Sequence, residues 1–239
     1  MMKTSMLALL AASALAMPAQ AAVIGDFRLD GSAANQAGGP LTLTTDGSLG
    51  ATGITFDANE GTLISGFSGQ SDYSLELRFS LDSLSGYRKI ANIPGVGSDT
   101  GLYNLNSALN FYPIGSSGPV FTAGQLATVV VTRNAAGDFT GYVNGTAVLS
   151  FNNAGATTLP NALWLLRDDT ATGGGESSSG FVDYIRVYDT ALTAQQVAGL
   201  TPPGPVNAVP EPATWAMMIG GFALAGSAAR RRRPASAIA

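Results

Sequence analysis

The chain has 239 residues, of which 46% are hydrophobic and 12% charged, and its formal net charge is −4. It contains neither cysteine nor histidine, which excludes a disulfide framework, Ser-His or Cys-His nucleophilic catalysis, and histidine-ligated zinc sites. Residues 22–206, between the two terminal segments, carry seven basic and fifteen acidic side chains, a net charge of −8, so we expect no nucleic-acid partner.

Residues 1–21 have the parts of a secretory signal peptide. Lys3 is the positive start, residues 6–17 form an apolar run, and an Ala-x-Ala cleavage site ends at Ala21. An apolar run of about twelve residues is too short to span a membrane and remain there, which favours removal by signal peptidase over a permanent anchor. The mature chain is therefore predicted to begin near Ala22.

The stretch 73–81 alternates strictly between apolar and polar residues. Such alternation predicts a strand with one buried face and one solvated face. The expected buried face consists of Tyr73, Leu75, Leu77, Phe79 and Leu81. The expected solvent face consists of Ser74, Glu76, Arg78 and Ser80. On that solvent face, Glu76 and Arg78 are expected to form an exposed ion pair.

Other short segments also predict strands. The β-branched run 127–133 suits a buried strand, and Asn144-Gly145 predicts a type I′ hairpin between 138–143 and 146–151. Further strands are predicted at 25–29, 41–45, 54–56, 88–93, 101–105, 109–114, 162–167 and 181–188. These short strands, without helical periods between them, predict an all-β antiparallel sandwich. Thr193 and Gln196 have capping-box spacing, which predicts one short helix after the last strand.

Three segments resemble LamG-like domains, which have the concanavalin A-type jelly-roll fold. They are GFVDYIRVYDTALT at 180–193, GDFRLDGSA at 25–33 and YVNG at 142–145. The chain departs from the family pattern in having no tryptophan near residue 125 and no D-x-S-G-N turn after residue 34. The resemblance implies one LamG-like domain over residues 22–200 that binds a glycan or a matrix protein.

Residues 167–176 form the one loop that is both acidic and rich in glycine. Its acidic residues Asp168, Asp169 and Glu176 offer the clustered oxygen ligands that Ca²⁺ prefers. LamG-like domains often hold calcium near loops of this type, so we predict a calcium site at these three residues. The alternative is a solvated loop that binds nothing.

A saccharide site would need an exposed aromatic platform. The candidate residues are Tyr87, Tyr103, Tyr112 and Trp164, of which Trp164 is expected in the core. Glucanases of this fold carry their catalytic acids in an E-x-D-x-x-E pattern, which this sequence lacks. Glu76 comes nearest to a catalytic acid, but no second acid has the spacing that glycoside hydrolysis requires. We therefore expect no enzymatic activity.

The C-terminal residues form a second targeting segment. A proline-rich linker at 201–208 precedes Val209 and the motif Pro210, Glu211 and Pro212, and a tail at 234–239 ends the chain. Between them lies an apolar run, 213–229, which as a helix would span about 26 Å, enough to cross a thin bilayer. The run is followed by four arginines, which are expected to stop on the cytoplasmic side. These are Arg230, Arg231, Arg232 and Arg233.

This order of motif, apolar run and arginines in 209–233 resembles the PEP-CTERM sorting signal of Gram-negative bacteria. The resemblance implies an exported precursor that is held in the inner membrane and cut near Pro210–Pro212 by an exosortase-type enzyme. The product would then reach the cell surface or the extracellular matrix. A plain C-terminal anchor is the alternative.

The sequence thus predicts an exported, non-catalytic surface or matrix protein whose LamG-like module binds a glycan or a matrix protein. Two alternatives remain open at this point. One is a structural component of the exopolysaccharide matrix without a discrete ligand, and the other is a glycosidase of the concanavalin A-like fold.

Overall fold

The computed structural model describes residues 21–203. These residues contain fifteen strands and one short helix, joined by loops. In chain order they are β1 (Val23–Phe27), β2 (Thr42–Thr45), β3 (Ser48–Leu49), β4 (Ile54–Phe56), β5 (Thr62–Ser65), β6 (Tyr73–Leu81), β7 (Tyr87–Ala91), β8 (Gly101–Leu105), β9 (Ala108–Tyr112), β10 (Gly115–Pro119), β11 (Ala127–Arg133), β12 (Asp138–Val143), β13 (Thr146–Asn152), β14 (Ala162–Leu165), β15 (Gly180–Tyr188) and α1 (Ala194–Ala198). The predicted membrane helix at 213–229 and almost all of the predicted signal peptide lie outside these residues. Within residues 21–203, no helix is both long and apolar enough to cross a membrane.

The strands form two antiparallel sheets that face each other across one core. Sheet 1 has the order β13-β12-β11-β6-β15-β4-β3, with β1 also paired to β15. Sheet 2 has the order β10-β9-β8-β7-β14-β5-β2. Every strand pair is antiparallel. The predicted β-sandwich with a short helix is therefore confirmed.

The inner face of β6 is the one that alternation predicts. Leu75, Leu77 and Phe79 are each at most 2% exposed and belong to the core between the sheets. The neighbouring strands supply the same kind of face, since Val129 and Ile185 join that core from β11 and β15. Packing of these inner faces against sheet 2 buries most of the apolar area of the domain.

The outer face of β6 is not the solvated face that the sequence predicts. Ser74 and Glu76 are both 0% exposed, because the chain after β15 returns across this face of sheet 1. There Leu192 and Val197 pack against Val130, Tyr142 and Tyr188 in a second, smaller apolar cluster. Alternation alone cannot reveal this, since the cover comes from a helix more than one hundred residues further along the chain.

Two local predictions are confirmed in detail. Asn144 and Gly145 have φ angles of 50° and 80° between β12 and β13, as a type I′ turn requires. At α1, the Thr193 hydroxyl accepts from the Gln196 backbone N–H, and the Gln196 side chain accepts from the Thr193 N–H, which completes the capping box. The capped helix carries Val197 onto sheet 1.

Candidate functional site

Three tyrosines meet on the outer face of sheet 2. Leu102 and Phe111 point into the core, so their neighbours Tyr103 and Tyr112 point to the outer face. The rings of Tyr87 and Tyr103 lie 5.3 Å apart, those of Tyr87 and Tyr112 5.7 Å, and those of Tyr103 and Tyr112 6.4 Å, all nearly perpendicular. Tyr103 is fully buried, whereas Tyr87 and Tyr112 are half-buried. We call these three residues the tyrosine surface.

A buried lysine adjoins this surface. Lys89 pairs in register with Tyr103, so both side chains are on the same face of neighbouring strands. The Lys89 ammonium lies 3.9 Å from the centroid of the Tyr103 ring and 2.6 Å from Oδ2 of Asp169. The nearby Gly101 is required by the backbone of β7 and not by Lys89, because a Cβ atom there would lie 2.7 Å from the Ala91 oxygen but 3.4 Å from Lys89 Nζ, an ordinary contact. The ammonium is therefore neutralised within the protein by a carboxylate and an aromatic face.

Three carboxylates gather at the same position. Oxygen atoms of Asp99, Asp169 and Glu176 all lie within 4.8 Å of one another; we call these residues the acid cluster. The Tyr103 hydroxyl lies 2.8 Å from Oδ1 of Asp99 and 3.2 Å from Oδ2 of Asp169. The tyrosine surface and the acid cluster thus form one continuous site.

The surroundings shift the pKa values of these groups in different directions. Burial raises the pKa of Glu176, and the charges of Asp99 and Asp168 raise it further. Burial also acts to raise the pKa of Asp169, but hydrogen bonds from Lys89 and Thr172 outweigh burial and hold that pKa below its usual value. Burial and the hydrogen bond to Asp99 raise the pKa of Tyr103 strongly, so its hydroxyl remains a donor at neutral pH.

The loop at 167–176 turns its two aspartates into the protein. Asp168 and Asp169 are 4% and 2% exposed, whereas residues 170–173 are exposed. Asp168 accepts hydrogen bonds from the backbone N–H groups of Asp169 and Glu176, at 2.8 and 2.9 Å. Of the three predicted ligands, Asp169 and Glu176 belong to the acid cluster, together with Asp99. Asp168 is not part of the cluster and instead bonds to the backbone of the loop.

The acid cluster meets part of what Ca²⁺ requires. Three carboxylates within 4.8 Å of one another can contact one ion. Oε2 of Glu176 is also buried without a hydrogen-bond partner among the described residues, and a cation would satisfy it. Against this, the Lys89 ammonium already holds Oδ2 of Asp169. A calcium ion here would have to share Asp169 with Lys89.

Glu76 lies on the opposite side of the sandwich, and the expected exposed ion pair with Arg78 is wrong. Its two carboxylate oxygens accept from the hydroxyls of Tyr184 and Tyr188, at 2.7 and 2.8 Å, and Arg186 lies 3.8 Å away. Arg78 pairs with Asp183 instead. Because Glu76 is 0% exposed beneath the segment that carries α1, a polymer cannot reach it.

Trp164 is not a core residue, contrary to expectation. Its neighbours Leu163 and Leu165 are in the core, so the Trp164 ring is on the outer face of sheet 2 and is half-buried. The Arg167 guanidinium lies 4.6 Å from the ring centroid. Trp164 therefore adds an aromatic group to the same face as the tyrosine surface.

Sequence reasoning missed two residues of the site, Lys89 and Asp99. Lys89 fell within a predicted strand, but its approach to Asp169 depends on the pairing of β7 with β8 and on the folding of a loop eighty residues away. Asp99 belongs to the loop between those strands, and no spacing rule connects it to Glu176. Alternation along β7 could have grouped Tyr87 with Lys89, the only local signal available.

The comparisons with known proteins agree with this fold. The sequence model described as the concanavalin A-like lectin/glucanases superfamily matches residues 43–198, and the PEP-CTERM protein-sorting motif matches residues 208–233. A search of curated proteins found no match.

Solved structures share the fold at low sequence identity. Domain 4 of AbnA, an extracellular arabinanase of Geobacillus stearothermophilus solved with arabinotriose, has a TM-score of 0.54 and 18% identity over 76% of this chain and 98% of that domain. Trypanosoma rangeli sialidase has a TM-score of 0.56 and 14% identity over 74% of this chain and 32% of that one. The binding domain of botulinum neurotoxin serotype D has a TM-score of 0.55 and 12% identity over 74% of this chain and 50% of that one.

The sorting motif marks an exported precursor that is anchored in the membrane and processed by an exosortase-type enzyme. The family match covers more than half of the chain and coincides with the sandwich described above. The chain therefore belongs to the concanavalin A-like lectin/glucanase superfamily and carries a PEP-CTERM sorting motif.

Proposed function

We propose that the exported domain binds a glycan of the extracellular matrix at the tyrosine surface and acid cluster, without catalysing a reaction. The observation that carries this proposal is that buried Tyr103 joins the half-buried rings of Tyr87 and Tyr112 to the partly exposed carboxylates of Asp99 and Glu176. Aromatic rings offer apolar faces to the C–H groups of sugars, and carboxylates accept hydrogen bonds from sugar hydroxyls. Convergence of these two kinds of group is typical of a ligand site.

The similar structures support a saccharide ligand at the level of the fold. One of them, domain 4 of an arabinanase, was solved in complex with arabinotriose. Its identity to this chain is only 18%, so the likeness suggests the class of ligand and not the identity of the sugar.

The position of the chain ends supports presentation of this site away from the membrane. Ala21 and Leu200, close to the two ends of residues 21–203, line one cavity beside α1 on the outer face of sheet 1. The tyrosine surface is on the outer face of sheet 2, on the other side of the sandwich. The chain therefore leaves the domain on the side opposite to the tyrosine surface.

Burial of two acidic side chains speaks against catalysis. Glycoside hydrolysis needs two carboxyl groups in contact with the scissile bond. The side chains of Asp169 and Glu76 are both 0% exposed, so neither meets that requirement. Asp99 and Glu176 are partly exposed, but Asp99 already accepts a hydrogen bond from the Tyr103 hydroxyl, so we expect this pair to bind sugar hydroxyls and not to act as acid and nucleophile.

Binding can be tested with the mature exported protein and exopolysaccharide isolated from the producing cells. The double variant Tyr87→Ala/Tyr112→Ala should lose at least about tenfold in affinity, while its melting curve shows that it remains folded. The matched control, Tyr87→Phe/Tyr112→Phe, keeps the rings and should keep the affinity. Equal binding by all three proteins would refute the proposal.

The other functions would give different results in the same assay. No binding to any saccharide, together with retention in isolated matrix, would favour a structural component. Release of reducing sugar from the polymer, lost in Glu176→Gln, would favour a glycosidase.

We further propose that calcium binds at Asp99, Asp169 and Glu176. Competition from Lys89 argues for weak affinity, in the range of about 10⁻⁴–10⁻³ M that extracellular modules reach. At one hundred times Kd, calcium should raise the melting temperature by roughly 5–10 °C.

This calcium effect should disappear in Asp99→Asn/Glu176→Gln and persist in Asp138→Asn, because Asp138 is exposed and lies on β12 of the other sheet. Magnesium should substitute poorly, since it requires a smaller and stricter octahedron. Identical melting curves in calcium and in chelator would overturn the proposal.

A further inference from the structure

The first residue of the predicted mature chain is held by a carboxylate. The Ala22 backbone nitrogen donates to Oδ1 of Asp189 at 2.8 Å, and the Asp189 nitrogen donates to the Ala22 oxygen at 3.0 Å. The next pair along this edge is Val23 with Tyr188, the first rung of the β1–β15 ladder. The side chain and backbone of Asp189 therefore extend the β1–β15 hydrogen bonding by one residue, to Ala22, which follows the predicted cleavage site.

Cleavage changes the chemistry of this contact. Hydrolysis of the Ala21–Ala22 bond consumes one water molecule, leaves a carboxylate on Ala21 and converts the Ala22 amide into an α-ammonium group. That nitrogen is the atom that donates to Asp189. A backbone N–H that donates to a carboxylate already forms a charge-assisted hydrogen bond. Cleavage adds a positive charge to the donor, which makes the contact an ion pair.

We propose that Asp189 is the receptor for the new N-terminus, so that removal of the signal peptide converts an amide–carboxylate hydrogen bond into an ion pair. This assigns a role to a surface residue that belongs neither to the tyrosine surface nor to the core. It also means that β1 is held to the end of β15 more strongly in the processed chain than in the precursor.

The ion pair acts on the segment that leads to the sorting motif. Asp189 opens the turn between β15 and α1, and the rest of this turn is fixed to β6 and its entry. The Ser74 hydroxyl donates to the Thr190 oxygen at 2.9 Å and accepts from the Leu192 nitrogen at 2.8 Å. Asp72 accepts from the Ala191 nitrogen at 2.7 Å. Removal of the signal peptide should therefore stabilise this turn and α1. The sorting segment follows α1 in the chain.

The lysine content of the chain provides a clean test. Outside the signal peptide the only lysine is Lys89, and its side chain is 0% exposed. An amine reagent applied to the native, exported protein should therefore modify the α-amine of Ala22 alone. Acetylation removes the positive charge of an amine, whereas reductive methylation keeps it, so the two reactions form a matched pair at one atom.

Acetylation should lower the melting temperature by about 1–4 °C, as expected for an exposed ion pair in a domain of this size. Methylation should leave it nearly unchanged. Amide hydrogens in 189–198 should exchange faster after acetylation. In Asp189→Asn the effect of acetylation should vanish, whereas Asp57→Asn should retain it, and high salt should weaken it.

Two results would overturn the proposal. One is a mature protein whose N-terminal residue, determined by mass spectrometry, is not Ala22. The other is an acetylation effect that is absent from the wild type or equal in Asp189→Asn. If Asp189→Asn does not fold, the comparison of acetylated with methylated wild-type protein decides the question.

Discussion

At the scale of single residues, Ser74 shows how much a buried polar group can matter on a face that the sequence marks as solvated. It is 0% exposed, and its hydroxyl serves both a backbone oxygen and a backbone nitrogen of the turn before α1. We expect Ser74→Ala to lower the free energy of unfolding by about 1–3 kcal/mol, because both backbone groups lose their partner. Ser116→Ala, at an exposed position, should change it by less than about 0.5 kcal/mol. Denaturant melts in which both variants match the wild type would contradict this role.

Leu77 gives the corresponding expectation for the inner face of β6. It is 2% exposed and belongs to the main core. Leu77→Ala should leave a cavity and cost about 2–5 kcal/mol. A cost smaller than that of Ser74→Ala would mean that the core relaxes around the missing side chain.

Glu176 should make stability depend on pH. Burial and neighbouring carboxylates raise its pKa above the ordinary 4.5, so the folded protein binds this proton more tightly than the unfolded chain does. The group therefore imposes no penalty well below pH 4.5, and stability falls as the pH rises through that value to the raised pKa. Glu176→Gln removes this dependence.

The stability of Glu176→Gln relative to the wild type should accordingly be greater at pH 7 than at pH 4. Unfolding by denaturant at both pH values, in chelator, measures the difference. A constant difference between the two proteins would show that the carboxylate does not titrate abnormally.

At the scale of elements, α1 depends on its cap because it has only one turn and a half. The helix spans Ala194–Ala198, and Thr193 and Gln196 close its N-terminus reciprocally. Thr193→Ala should destabilise the domain by about 0.5–2 kcal/mol and accelerate amide exchange around Val197. Thr193→Ser keeps the hydroxyl and should behave like the wild type; equal effects of Ala and Ser would instead point to lost packing of the threonine methyl.

The strands that sequence reasoning located are those with a local signal. Ranges 54–56, 73–81, 101–105, 127–133 and 138–143 coincide with observed strands, because alternation, β-branching and the Asn-Gly turn act within a few residues. β3, β5 and β10 were missed. β10 reads Gly-Ser-Ser-Gly-Pro, residues of low strand propensity, and it is a strand only through its pairing with β9.

The candidate site was predictable only in part, for a related reason. Asp169, Glu176 and the three tyrosines are recognisable by residue type and by local composition. Their convergence depends on which strands become neighbours and in what register, and a loop before β8 supplies Asp99. Sequence spacing contains none of this information. For the same reason it could not predict that the segment carrying α1 buries Glu76.

At the scale of the whole molecule, sorting involves the C-terminal motif and export is predicted to involve the signal peptide, while the described domain between them is one sandwich. The segment after α1 starts from sheet 1, where the Arg186 guanidinium donates to the Thr201 oxygen at 2.9 Å. Beyond it the sequence has a short linker, the Pro-Glu-Pro motif, an apolar run and four arginines. A reporter fused after Ala239 should be active in the cytoplasm before processing, because arginines resist translocation; periplasmic activity there would contradict this topology.

Processing should depend on the motif itself and not merely on proline content. Replacing Pro210, Glu211 and Pro212 by alanine removes the only glutamate next to the apolar run while leaving that run and the arginines intact, so the precursor should still insert but remain uncut in the inner membrane. Replacing Pro202 and Pro203 by alanine removes a pair of prolines from the same linker and should leave processing normal. Mass spectrometry of membrane and extracellular fractions distinguishes the two forms. A mature form lacking Trp215 and the residues after it, found in the triple-alanine variant, would mean that the cleaving enzyme recognises the apolar run and its arginines instead.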